Sequence, residues 1–376
     1  MTAPVPPPGP TGFPYHRMDR RTGRHRWWRP LVGTLLFFFA YLVVVLLLIA
    51  GTYVFGAMAD APELPDGGPD FGLVGNTALE LTSIAIALPL VLLAVLWPGR
   101  RPAGTVSSVA GRVRWRWLGW CLLAAVLPVA LLTGTAFFLP EGETGSAESA
   151  VWVGWGSFLT SLAVLAVFVP LQAAAEEYVF RGWLTQAVGS LVRSPWIVVL
   201  PQAVLFAAAH GWGTRWGFIG LMVFGVVAGW LTIRTGGLEA AIALHVLNNL
   251  VAFGTLAAIV DGLASDETAA DSPWSLALAD VVTTLMYAAL VLWLARRHQP
   301  QRLAPPMPVP VPMPPFGPPP PYAPYAPYAP YAPYPPYVMP YGAVPGHPYG
   351  GQGGVAPAPP GTGSAPQGDV PPPPGP

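Results

Sequence analysis

The chain has 376 residues, of which 53% are hydrophobic and only 10% are charged, and its formal net charge is zero. This composition is too apolar for a water-soluble domain of this length and is typical of a polytopic membrane protein. The sequence has no Gly-rich phosphate loop and no CxxC pair, and its one cysteine, Cys121, lies in an apolar run. It therefore gives no support for nucleotide, nucleic-acid or disulfide chemistry.

Residues 1–29 are rich in proline and then in arginine, and they end near Trp27 and Trp28. The polar, Pro-rich composition predicts a disordered basic tail, and the Trp-Arg end is typical of an anchor at a membrane interface. The apolar run that follows, residues 31–58, is too long for a signal-peptide core and predicts a retained first span.

A helix needs about 20 apolar residues to cross a membrane. On this criterion the sequence predicts an all-α, polytopic transmembrane helical bundle of about eight spans, with disordered N- and C-terminal tails. The spans are expected near residues 31–57, 72–97, 117–139, 152–187, 196–211, 216–233, 237–260 and 274–295. The fourth is too long for one straight crossing, and Pro170 is expected to kink it. The fifth is short.

All basic residues are arginines, and they are concentrated in alternate loops. Loop 98–116 contains five of them, whereas loop 58–71 contains only acidic charges. The positive-inside rule then predicts a multi-pass protein of the cell membrane, surrounded by lipids, with both termini in the cytoplasm. Arg215 is the one basic residue on a predicted outer loop.

The last segment, residues 299–376, is rich in Pro, Tyr and Gly, and tyrosine recurs at every third residue from Tyr322 to Tyr337. Polyproline II has three residues per turn, so these tyrosines would lie along one edge and could dock to a protein partner. The alternative is a low-complexity disordered tail with no such role.

Side chains capable of chemistry are concentrated in three predicted spans. They are Glu176, Glu177, Arg181, His210, His245 and Asn249. Charged groups at membrane depth are costly and usually mark a site. The four-residue spacing predicts an ion pair between Glu177 and Arg181 and places His245 and Asn249 on one helix face. Glu176 points about 100° away from Glu177, so the two need not share a role.

Counted from the cytoplasmic helix ends, Glu176, His210 and His245 lie at depths of about 16, 21 and 13 Å. One water-filled cavity open to the cytoplasm could hold all three. A carboxylate, two imidazoles and an amide suit peptide hydrolysis. Glu176 could act as general base on a water that His210 orients, while His245 and Asn249 donate to the developing oxyanion. Glu177 and Arg181 would then hold the helix in register.

Other interpretations stay open at this point. The polar residues could be paired packing groups, as Glu80 and Asp280 could be, and Glu239 lies near a helix start, where the helix dipole favours a carboxylate. The chain could also be a catalytically inactive scaffold or an immunity-type protein of the same fold. A transporter with a proton relay would call for internal repeats, and we find no convincing repeat.

Three motifs in chain order on the fourth, fifth and seventh predicted spans, EEYVFR (176–181), FAAAH (206–210) and HVLNN (245–249), resemble the CAAX prenyl protease and bacteriocin-processing (CPBP, ABI-type) family of intramembrane proteases. The resemblance covers about residues 150–260 and implies a helical bundle with a cavity open to the cytoplasm. It implies that Glu176 and His210 activate water and that His245 and Asn249 stabilise the oxyanion. Glu177 and Arg181 match the family's second Glu and its Arg.

Composition, apolar run length and the resemblance together divide the chain into a disordered basic tail (1–29), three N-terminal spans (30–150), a catalytic core (151–260), a last span (261–298) and a second disordered tail (299–376). The expected substrate is a membrane-associated peptide or protein. The family has been labelled metalloprotease, and Glu176, His210 and His245 could in principle bind Zn²⁺. Because the sequence has no HExxH motif, we favour a metal-independent glutamate mechanism with no cofactor.

Overall fold

The computed structural model describes residues 12–138, 151–265 and 267–306. The predicted loop residues 139–150 and the Pro/Tyr-rich tail with its tyrosine stripe lie outside this part of the chain. The helices are α1 (Trp28–Met58), α2 (Gly72–Ala85), α3 (Ala87–Leu96), α4 (Trp115–Ala136), α5 (Trp155–Glu177), α6 (Thr185–Leu191), α7 (Pro195–Ala209), α8 (Arg215–Thr235), α9 (Glu239–Ala257) and α10 (Trp274–His298).

In the described residues, 7 helical runs are long and apolar enough to cross a membrane. Helices α2 and α3 form one run, and a single run of 37 residues extends from α5 to α6. Helix α7 has 15 residues, or about 22 Å, which is less than the roughly 30 Å of a bilayer core. Each of the eight predicted segments is therefore helical, but the fifth is too short for a full span. The predicted polytopic helical bundle is confirmed.

The long fourth segment departs from regular α-helix later than Pro170. This proline lies inside α5, which continues to Glu177. The residues Tyr178–Leu184 then form a π-helix that leads into α6. A π-helical turn is wider than an α-helical turn and often occurs at a functional site. Here it begins directly after the two adjacent glutamates.

The described part of the N-terminal tail is ordered. Residues Tyr15–Arg20 form a 3₁₀ helix in which Tyr15 and Met18 have no exposed surface. The preceding strand β1 (Phe13–Pro14) pairs antiparallel with β2 (Leu303–Ala304). The prediction of a disordered tail is therefore wrong from residue 12 onward. Prolines and arginines dominate the composition of this tail. Composition therefore does not reveal that a few of its apolar side chains pack against loops distant in sequence.

This N-terminal segment binds loops that contain several of the other arginines. The His16 ring contacts the carbonyl oxygen of Arg193 at 3.2 Å, and Asp19 lies 3.4 Å from Arg101. The backbone N–H of Val109 donates to Gly236. We call the resulting surface the basic end; it comprises residues 12–27, 97–114, 192–194, 236–238 and 299–306. Both described ends of the chain lie there.

The two larger clusters of buried apolar residues join different sets of helices. One cluster joins α4, α8, α9 and α10 around Leu231 and Tyr287. The other joins α3, the π-helical segment and the N-terminal segment around Tyr15, Val95 and Trp183. Helix α5 packs on α2 and α9. This arrangement places the polar residues of α5 against those of α9, away from the lipid-facing surface.

Candidate active site

The centre of the site is His245 on α9, whose two ring nitrogens face two adjacent carboxylates. Its Nδ1 lies 2.7 Å from Glu177 Oε1, and its Nε2 lies 3.4 Å from Glu176 Oε2. The angle between Glu176 and Glu177 on the helix led us to give them separate roles. The structure instead brings both to the same imidazole, because the ring lies between them and presents a nitrogen to each.

The predicted ion pair between Glu177 and Arg181 is confirmed. Arg181 Nη1 donates to Glu177 Oε1 at 2.7 Å, and both side chains are completely buried. The guanidinium carbon also lies 3.9 Å from the ring centre of Phe206 and 5.3 Å from that of Phe224. Aromatic faces stabilise a cation, most strongly where water is excluded. Glu177 thus binds Arg181 and His245 at once, so it does more than hold the helix in register.

Several polar atoms of this cluster make no hydrogen bond. Among the described residues, these unpaired atoms are Glu176 Oε2, Glu177 Oε2, Arg181 Nε and Arg181 Nη2. Native structures contain few such atoms, and each calls for an explanation. The side chain of Glu176 is 13% exposed whereas that of Glu177 has no exposed surface. Glu176 is therefore the carboxylate that water or a substrate can reach.

Asn249 lies one turn after His245 and pairs with a residue that the sequence analysis missed. Its Nδ2 donates to Oε1 of Gln172 at 3.1 Å. Gln172 is 5% exposed and lies one turn before Glu176 on α5. The sequence did contain a signal for this residue, because Gln172 is a polar residue four positions before Glu176 in a mostly apolar span.

His210 lies at the edge of the cluster. It follows the last residue of α7, and its Nδ1 lies 2.9 Å from the carbonyl oxygen of Phe206. The Phe206 ring lies 4.5 Å from the His210 ring and 5.8 Å from the His245 ring, measured between centres. The Phe206 ring thus contacts both histidines and links His210 to the rest of the predicted site.

The proposed zinc ligands do not fit a metal site as they are arranged. Within the described part of the chain, no group of three or more His, Cys, Asp or Glu side chains could hold a metal ion. Both nitrogens of His245 face carboxylates, and His210 is held against Phe206. A protein zinc site needs at least three ligands that converge on one point. Glu176, His210 and His245 therefore do not converge as zinc ligands in this structure.

A loop of the basic end supports the helix just beyond the glutamates. The Tyr178 hydroxyl lies 2.6 Å from Ser107 Oγ. Gly182, which follows Arg181, packs so closely that a Cβ there would lie 2.8 Å from Val106 Cγ2. The π-helical segment that carries Arg181 is thus fixed by loop 97–114, a contact that spacing along the chain does not reveal.

These features define a polytopic membrane protein with a buried Glu-His-Glu cluster in its helical bundle. Residues 155–251 match the family model described as "Type II CAAX prenyl endopeptidase Rce1-like". The match includes all six motif residues and confirms the family resemblance inferred from them. It indicates an intramembrane protease, and hence a hydrolase.

The similarity to a bacterial relative extends beyond the matched domain. The uncharacterized protein YyaK of Bacillus subtilis (strain 168) is 27% identical over 276 residues, which cover 68% of this chain and 91% of that protein. A search of solved structures found no match.

Proposed function

We propose that this protein is an intramembrane endopeptidase that hydrolyses peptide bonds of membrane-associated peptides or proteins. Glu176 activates the attacking water in a cavity that opens to the cytoplasm. The observation that carries the proposal is the contact of Glu176 Oε2 with His245 Nε2 at 3.4 Å, in a span whose other charged residues, Glu177 and Arg181, pair with each other. Oε2 itself is buried, so the other oxygen of this partly exposed carboxylate is the one that accepts a proton from a water molecule.

In the proposed reaction Glu176 accepts a proton from water while the water oxygen attacks the carbonyl carbon of the substrate. The carbonyl π electrons move to its oxygen, which becomes an oxyanion. The carbon–nitrogen bond then breaks, and the proton held by Glu176 passes to the leaving nitrogen. His210 orients the water from its position beside Phe206.

The oxyanion receives hydrogen bonds from His245 and Asn249. The contact of Glu177 with Nδ1 of His245 supports this role, because it fixes the ring so that Nε2 faces the reacting atoms. Donors that are fixed before the reaction stabilise the transition state without reorganisation.

We further propose that the basic end faces the cytoplasm of a cell membrane and that both termini are cytoplasmic. Support comes from the distribution of arginine, since the only arginine at the opposite end among the described residues is Arg215, the first residue of α8. The positive-inside rule gives this orientation for the whole bundle. Substrates then approach the glutamates from the side of loop 97–114.

The test compares purified wild type with Glu176→Ala and His210→Ala on a quenched peptide library in detergent, with and without a strong chelator. Glu80→Gln is the matched control, because Glu80 is an exposed carboxylate on another span. We expect cleavage by the wild type and the control, loss of cleavage in both site variants, and no effect of the chelator. Loss of wild-type cleavage on chelation would refute the metal-independent mechanism.

The alternative of an inactive scaffold or immunity-type protein makes the opposite prediction in cells. Both site variants would then keep the wild-type phenotype at wild-type abundance. A protease would lose its phenotype in both variants.

A further inference from the structure

The side chain of Gln172 is polar, buried and placed in a membrane span. It is 5% exposed, and the residues that follow it in α5 up to the glutamates are alanines. A buried amide without hydrogen bonds destabilises a protein by several kcal/mol in an apolar medium. Gln172 forms one such hydrogen bond, in which its Oε1 accepts from Asn249 Nδ2 at 3.1 Å.

Helices α5 and α9 place this contact beside the Glu176–His245 contact. The start of α5 lies against the end of α9, where Val153 N–H donates to the Ala258 carbonyl. The helices are therefore antiparallel. Residues one turn earlier on α5 face residues one turn later on α9, so Gln172 pairs with Asn249 just as Glu176 pairs with His245.

We propose that Gln172 is a positioning residue that fixes the orientation of the Asn249 carboxamide; this inference rests on the proposed function. The two ends of a carboxamide have nearly the same shape but opposite hydrogen-bonding roles. Because Gln172 Oε1 accepts from Asn249, the NH₂ group must lie on this side. One N–H of Nδ2 is then used by Gln172, and the second can donate to the oxyanion.

Loss of the acceptor would let the Asn249 carboxamide rotate. In the rotated state Oδ1 would face the oxyanion, and two negative oxygens would repel each other. Gln172 itself need not touch the substrate for this effect. The role is one of orientation, and it should appear in kcat more than in KM.

The first experiment observes the Asn249 side chain directly and needs no substrate. The chain contains only three asparagines, Asn76, Asn248 and Asn249. Selective ¹⁵N-asparagine labelling of the full chain in detergent therefore gives three side-chain NH₂ signals, and Asn249→Ala identifies its own by loss. We expect Gln172→Met to shift the Asn249 signal and to speed its hydrogen exchange. An unchanged Asn249 signal would overturn the proposal.

Gln202→Met is the matched control. Gln202 is also a buried glutamine in a membrane helix, but its Nε2 donates to the carbonyl oxygens of Val199 and Gly225. We expect this variant to lower thermal stability and to leave the Asn249 signal in place. If both methionine variants changed that signal alike, the effect would be general loosening of the bundle, and the proposal would be refuted.

The second experiment is a double-mutant cycle on turnover. We expect Gln172→Met to lower kcat by about 10- to 100-fold with little change in KM. In an Asn249→Ala background it should lower kcat no further. An equal loss in both backgrounds would show a structural role and contradict the inference.

Adding Glu176→Gln to this comparison separates the inference from the proposed function. Activity retained by Glu176→Gln would refute the glutamate mechanism, whatever Gln172 does. Activity lost in Glu176→Gln and lowered in Asn249→Ala but kept in full by Gln172→Met would refute only the positioning role.

Discussion

Two arginine–glutamate pairs in the described part of the chain differ in how completely they are hydrogen-bonded. Arg114 and Glu239 pair at the basic end, where Nε and Nη2 of Arg114 donate to the two carboxylate oxygens at 2.8 and 2.6 Å. The backbone N–H of Arg114 donates to the same carboxylate at 2.9 Å. The remaining nitrogen, Nη1, donates to the carbonyl oxygens of Thr235 and Gln301.

The pair of Glu177 and Arg181 is buried more deeply but has fewer hydrogen bonds. One contact of 2.7 Å joins them, and Nε, Nη2 and the second carboxylate oxygen have no hydrogen-bond partner within the described residues. Full pairing is what a purely structural ion pair requires, because each unpaired buried atom is costly. Arg114–Glu239 meets this requirement. The Glu177–Arg181 pair does not meet it, which supports its place in a reactive site.

The largest expected effect is on Glu177, which binds both Arg181 and His245. Glu177→Gln leaves the Arg181 charge buried without a counter-ion and should lower the free energy of unfolding by about 3–5 kcal/mol. Thermal unfolding in detergent measures this loss. The double variant Glu177→Gln/Arg181→Met should recover stability but not turnover, since His245 still lacks its anchor. Recovery of turnover in the double variant would show that Glu177 has no role beyond the ion pair.

The second prediction concerns Arg181 alone. Arg181→Ala removes the guanidinium and its packing on Phe206, and it should lower folded yield by more than it lowers activity per folded molecule. Glu177 keeps its contact with His245 in this variant. Size-exclusion yield and turnover of the monodisperse fraction measure the two effects. Normal yield with abolished turnover would move Arg181 into the catalytic set.

The third prediction concerns the fully paired carboxylate. Glu239→Gln weakens hydrogen bonds to a charged group and should lower the free energy of unfolding by about 1.5–3 kcal/mol. Turnover per folded molecule should be that of the wild type, because Glu239 contacts loop 97–114 and no predicted catalytic residue. A loss of turnover at normal stability would contradict the purely structural role of the Arg114–Glu239 pair.

The smallest expected effect is a pH dependence at the basic end. Burial lowers the pKa of His16, and the nearby Arg17 lowers it further, while the Arg193 carbonyl acts in the opposite direction. His16 therefore binds a proton more readily when residues 12–27 are released from the basic end than when they are packed on it. The packing of this segment should weaken as pH falls below the ordinary histidine pKa of about 6.5. Limited proteolysis of residues 12–27 across this range measures it.

His16→Gln is the matched variant for the pH experiment, because glutamine can still donate to the Arg193 carbonyl but does not titrate. It should remove the His16 part of the pH dependence. If protease sensitivity rose equally at low pH in both proteins, another group would be responsible.

The sequence predicted those parts of the structure that depend on helix periodicity. The membrane spans follow from apolar run length, and the Glu177–Arg181 pair follows from four-residue spacing on one helix. The contact of Glu177 with His245 joins two helices and depends on how α9 packs on α5, which no spacing along the chain specifies. The Gln172–Asn249 hydrogen bond was missed for the same reason.

The N-terminal segment shows a second limit of the sequence. Its composition predicts disorder, yet Tyr15 is fully buried and its hydroxyl donates to the carbonyl oxygen of Val106. Order here comes from loops that are distant in sequence, such as residues 97–114. A composition average over 29 residues cannot show that two or three side chains fit a surface assembled elsewhere.

The most direct test of the account compares Glu176→Gln with Glu239→Gln in the same detergent, with turnover and thermal unfolding measured on each. We predict that Glu176→Gln loses at least about 100-fold in turnover and unfolds near the wild-type temperature. Glu239→Gln should unfold earlier and keep its turnover per folded molecule. Wild-type turnover in Glu176→Gln would contradict the central claim that this carboxylate activates the attacking water.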